Sequence, residues 1–107
     1  MTLFSGASGV GVDEKFGNLP DTFSLSQNYP NPFNPVTTIK YSIPRSGFVS
    51  LKVFDVIGHE VANLVEGMKP AGNHVASFNG SGLSSSVYFC RLQAGSFAET
   101  RKLVLLR

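Results

Sequence analysis

The chain has 107 residues, 42% hydrophobic and 15% charged, and a net charge of +2. That is the length of one domain, apolar enough to build a core, too lightly charged to be disordered, and not basic enough to bind nucleic acid by charge alone. A single cysteine, Cys90, excludes an intramolecular disulfide, and no apolar run approaches the ~18 residues of a membrane-spanning helix, so no direct membrane insertion is expected.

Residues 1–22 read as a flexible linker or an added segment. Gly6, Gly9, Gly11 and Gly17 with Ser5 and Ser8 give a linker composition without sustained periodicity. The Gly6–Gly11 run lacks the Lys-Ser/Thr of a phosphate loop and the spacing of a dinucleotide site. Met1–Phe4 carry neither a basic n-region nor a long h-region, so any export signal is expected upstream. Charge is uneven along the chain. Asp13, Glu14 and Asp21 outweigh Lys15 at the start, whereas Arg91, Arg101, Lys102 and Arg107 outweigh Glu99 at the end.

From Phe23 to Arg107 the pattern is that of a β domain. It opens on Tyr29-Pro30-Asn31-Pro32-Phe33-Asn34-Pro35. Pro30, Pro32 and Pro35 remove three amide donors and hold their predecessors extended. Asn31 and Asn34 can offset this with side-chain turns, while Tyr29 and Phe33 supply apolar surface to pin the arm to a sheet edge. A Pro-rich ligand for another domain is the alternative.

Ile39, Tyr41 and Ile43 then alternate with Lys40 and Ser42, and Val49, Leu51 and Val53 alternate with Ser50 and Lys52. Asp55-Val56-Ile57-Gly58 predicts a hairpin turn, the Asp capping its amides and Gly58 taking a positive φ. His59–Val65 predicts a short edge or bulged strand, 67–72 a loop, and His74, Ala76 and Phe78 one face of the next strand. Asn79–Gly82 predicts a long turn anchored by Leu83. Tyr88, Cys90 and Leu92 share a face opposite Val87, Phe89 and Arg91, and Ala94–Ser96 makes a hairpin into the last strand, Phe97–Leu106. Six or seven short strands without helical periodicity predict an all-β, immunoglobulin-like antiparallel sandwich of about seven strands over 23–107. Its core is expected to include Ile39, Tyr41, Leu51, Val53, Phe78, Tyr88 and Leu92.

Residues able to do chemistry are few: two His, three Asp, four Glu and one Cys. No pair has metal-site spacing, and Ser84-Ser85-Ser86 lacks the Gly-x-Ser-x-Gly frame of an activated nucleophile. Cys90, with no nearby activating group, reads as a buried thiol. Asn79-Gly80-Ser81 fits a glycosylation sequon but is first a turn signal. The expectation is a non-catalytic module with no cofactor, no metal and no nucleic-acid partner.

Four segments, in order, carry a resemblance. Leu25–Pro35 with Thr37–Tyr41, the Val53–Val61 turn region around Asp55 and Gly58, Gly82–Leu92, and the closing Lys102–Arg107 together resemble the type A C-terminal sorting domains of the type IX secretion system. Ser86 stands where that family usually has Gly, and His74 and Cys90 stand where it more often has an aromatic or aliphatic residue. The resemblance implies a domain attached to an upstream cargo, recognised by an outer-membrane translocon and removed by a sortase-like protease. Cleavage is then expected within residues 1–22. The cargo would pass through the periplasm to the cell surface or the medium. Lys102, Leu103, Val104, Leu105, Leu106 and Arg107 are the expected recognition segment, through strand-edge pairing and charge steering. Pro30, Asn31, Pro32, Phe33, Asp55 and Gly58 are expected to be structural. Two other readings stand beside it: an accessory carbohydrate-binding module, and an immunoglobulin-fold assembly module like those of flagellar hook-capping proteins.

Overall fold

The computed structural model describes residues 19–107, so the linker expected over 1–22 lies mostly outside the described residues. Seven strands follow: β1 (Ser24–Leu25), β2 (Val36–Ile43), β3 (Gly47–Phe54), β4 (Glu60–Lys69), β5 (Gly72–Asn79), β6 (Ser86–Ala94) and β7 (Phe97–Leu105). They form two antiparallel sheets, β1-β2-β5 and β4-β3-β6-β7. The expected all-β sandwich is therefore observed. In the constant-type immunoglobulin arrangement the fourth strand lies with the first, second and fifth. Here β4 stays with β3, because the tight 55–58 hairpin returns it directly alongside.

Strict alternation builds both faces. In β2 the inward Ile39, Tyr41 and Ile43 are buried, as are Val49, Leu51 and Val53 in β3. Every residue expected in the core is at most 4% exposed. Leu51 lies opposite Val65 on one side and Leu92 on the other, at the centre of its sheet. Tyr88 donates from its hydroxyl to the Ser84 carbonyl at 2.7 Å, tying the entry of β6 to the preceding loop. A tyrosine doing this at the corresponding corner is a hallmark of immunoglobulin-like sandwiches.

One boundary differs from expectation. The loop expected at 67–72 is mostly strand, since β4 runs on to Lys69 and only Pro70 and Ala71 separate it from β5. Two register shifts, at Leu51/Lys52 and Val53/Phe54, accommodate extra residues in β4. These irregularities break its sequence period, while Gly67 at φ 158° is simply extended backbone. The edge position and bulging expected for this strand are both observed. β1, with two residues, is too short to leave a periodic signal and was not expected.

Candidate functional site

The residues that could do chemistry are scattered. Among the described residues, no group of three His, Cys, Asp or Glu could hold a metal ion. Cys90 is fully buried and desolvation pushes its thiol up to about 12, so it stays protonated and unreactive. His74 stacks on Tyr41 with ring centroids 5.1 Å apart, and its Nε2 lies 2.8 Å from the Pro70 carbonyl oxygen. His59 sits at the surface, its Nδ1 3.7 Å from an Asp55 carboxylate oxygen.

The Pro-rich arm and the closing strand, far apart in sequence, meet at one side of the sandwich. Tyr29 bridges to Thr38 of β2, and Phe33 bridges to Leu105 of β7, so the arm crosses from one sheet to the other. Phe33 is buried, with its ring 5.7 Å from that of Phe78. Tyr29 corrects the expectation for it: the ring is 81% exposed and pins nothing. Its backbone carries the pairing, with both Tyr29–Thr38 hydrogen bonds at 2.9 Å. Asn31 does not form the local turn expected of it. Its Oδ1 accepts from the Val104 amide at 3.0 Å instead. Beneath the arm, buried Asn28 and Thr37 satisfy each other, and both donate to the Pro30 carbonyl oxygen.

This arrangement bears on the strand-edge pairing expected of the tail. The Lys102 carbonyl accepts from Gln27 Nε2, the Val104 carbonyl from the Phe33 amide, and the Leu106 amide donates to the Phe33 carbonyl. With Val104 N–H already given to Asn31, the outer edge of β7 is occupied from the Lys102 carbonyl to the Leu106 amide. No free edge remains there for strand addition. A second clamp lies further along: Glu99 accepts from the Leu25 amide while Arg101 donates to the Leu25 carbonyl, and the two side chains pair at 3.1 Å.

The six tail residues also divide by direction. Leu103 and Leu105 are fully buried and belong to the core, so they are structural. Lys102 and Leu106 are exposed, and Val104 is half-buried on the solvent face. Arg107 is exposed yet anchored. Its backbone amide donates to Ser85 Oγ at 2.8 Å, and its guanidinium donates to the carbonyls of Ser81 and Leu83.

The Asp55 turn forms as expected. Asp55 Oδ1 accepts from the amides of Ile57 and His59, at 3.1 and 2.8 Å. The Gly58 amide donates to the Asp55 carbonyl at 3.0 Å, with Gly58 at φ 91°. This is a three-residue hairpin loop, a β-turn followed by a residue at positive φ. Its tip was overlooked in the sequence. Val56 and Ile57 are 63% and 73% exposed, and Val56 joins Val87, Val104 and Leu106 in lining a shallow apolar notch. Two aliphatic side chains at a hairpin tip, where turns are ordinarily polar, were the available signal.

No curated protein matches the chain. The family model described as the secretion system C-terminal sorting domain matches residues 27–106, from the foot of the arm through the closing strand. That span holds six of the seven strands and all four segments of the resemblance except Leu25, Ser26 and Arg107, and the chain belongs to this family of type IX secretion sorting domains.

Proposed function

We propose that the domain acts as a folded, non-catalytic address. It delivers a cargo joined upstream of it to the type IX translocon of the outer membrane, and is cleaved off afterwards by a sortase-like protease. Family membership over residues 27–106 carries this reading. Membership itself makes the domain a type IX sorting signal and implies an attached cargo, export machinery and a destination at the cell surface or beyond. The periplasm is the compartment in which the address is read. Residues 1–22, ahead of β1, are the segment in which cleavage is proposed. The closing Lys102–Arg107 segment takes part through Lys102, Val104, Leu106 and Arg107, while Leu103 and Leu105 hold the strand in place.

The carbohydrate-binding alternative needs several exposed flat rings. Of the three tyrosines, Tyr41 and Tyr88 are buried and only Tyr29 is exposed, beside Gln27, Thr38 and Lys40. The test of the sorting reading is direct. The 107-residue chain, fused behind a periplasmic reporter in a bacterium with this secretion system, should carry the reporter to the cell surface or medium. Retention of the fusion in the periplasm would overturn the assignment.

A further inference from the structure

We propose that the solvent face of the four-stranded sheet, where the 55–58 hairpin meets the closing strand, docks an acidic protein segment bearing an apolar anchor. The address is then a discontinuous surface on the folded domain, drawing on β3, β6 and β7 as well as the tail. This rests on the sorting reading above and names the chemistry of the partner.

Register places the relevant side chains. Phe54 lies opposite Phe89, Phe89 opposite Lys102, and Val87 opposite Val104, all on the face turned away from the core. An apolar strip thus crosses three strands and ends in the notch walled by Val56 and Leu106, which are 63% and 54% exposed. The strip is bordered by cations. Lys52 lies directly opposite Arg91, a like-charge cross-strand pair that costs stability in the free domain. Lys52 has Glu60 at 3.5 Å, but among the described residues neither Arg91 nor Lys102 forms an ion pair. Among the described residues the acidic side chains of this face, Glu60 and Glu66, both stand on β4, the edge strand away from β7, and Glu60, opposite Phe54, is taken up by Lys52. A carboxylate set between Arg91 and Lys102 would meet complementary charge, with the aromatic strip excluding water beside it. A strip only a few residues wide, with a notch at one end, fits a protein segment better than the plane of a bilayer.

The experiment uses the same reporter fusion. Arg91→Glu with Lys102→Glu reverses the charge, Val56→Ser removes a wall of the notch, and Lys40→Glu, on the opposite sheet, is the control. Thermal melts establish that each variant folds. If the double reversal lowers the melt, Arg91→Gln with Lys102→Gln takes its place. The charge and notch variants should each export about tenfold less reporter or worse, as repulsion or a lost anchor of over a kcal/mol predicts. The control should match the parent. Parent-like export of the charge and notch variants, with the parent itself exported, would overturn the composite surface and leave the sorting reading intact. A parent that stays in the periplasm overturns the sorting reading itself. Two binding measurements exclude other occupants. Sedimentation showing a dimer that Val56→Ser disperses would assign the face to a second copy. Binding to phosphatidylglycerol vesicles that the charge reversal abolishes would assign it to lipid. Either result would overturn the protein-segment proposal.

Discussion

Cys90 shows how much one buried group reveals about the core around it. Desolvation raises its thiol from an ordinary 9.0 to about 12, so the folded chain keeps a proton that the unfolded chain loses between those values. Stability from this group is complete below pH 9 and declines as pH rises toward 12, since there the unfolded state binds fewer protons. Melting temperatures from pH 8 to 11 should therefore fall less steeply in Cys90→Ala than in the parent. Equal slopes would mean that the thiol is not buried as described. A residual slope is expected in both, because burial also raises Tyr41. Gly58 makes a different demand, on the backbone alone. Nothing lies within 4 Å of a Cβ built there, so steric room is not at issue, but φ is 91°. Gly58→Val should cost about 1–3 kcal/mol in denaturant unfolding, and Gly58→Asn distinctly less, because Asn tolerates positive φ. Equal costs for the two would show that something other than the dihedral angle is responsible.

Among the elements, the Pro-rich arm is the one whose role the sequence conveyed only in part. Three prolines and two asparagines announced an extended segment lacking its own ladder bonds, and Phe33 was a sound anchor. That Asn31 and the Phe33 backbone would bind β7, some 70 residues on, was not legible, because such pairing has no period and no local signature. Tyr29 shows the matching error, an aromatic expected to pin the arm to the sheet edge although register with Thr38 turns its side chain outward. The regular strands were legible because alternation is a local consequence of one wet face and one dry face. β4 was cut short for the same reason: its two bulges destroyed the alternation that would have marked it. The apolar hairpin tip was overlooked because its meaning depends on the neighbouring strands. The arm's contribution can be measured. Phe33→Ala should destabilise the domain by about 3–5 kcal/mol. It should also speed amide hydrogen exchange at Leu106, which donates to the Phe33 carbonyl, and at Val104, which donates to Asn31, more than at amides facing β6. A lowered melt with unchanged protection at those two amides would mean that the arm stays docked without its anchor.

At the scale of the whole molecule, the two sides of the sandwich are finished differently, and this bears on how an address at the end of a chain can be tested. On one side the sheets are joined by the two-residue Pro70–Ala71 turn between β4 and β5. On the other, β1 and β7 are held together by the arm, the Glu99–Arg101 clamp and the Gln27 side chain, so the closing strand is built into the fold. Removing Lys102–Arg107 would test the address only if the rest of the domain stayed folded without them, and the structure argues against that. Leu103 and Leu105 are both fully buried, and loss of a buried leucine costs about 2–5 kcal/mol. Two such losses approach the roughly 5–15 kcal/mol total stability of a domain, before the arm's hydrogen bonds to Val104 and Leu106 are counted. Deletion of 102–107 should therefore leave a largely unfolded chain at 25 °C, with weak β circular dichroism and no cooperative melt. Deletion of Leu106 and Arg107 alone, which lie beyond β7, should keep a cooperative transition at lower temperature. A near-parental melt in the six-residue deletion would show that the closing strand is dispensable to the fold. If it unfolds as expected, its failure to be exported says nothing about recognition, and only surface changes that leave the melt intact can separate the address from the fold that displays it.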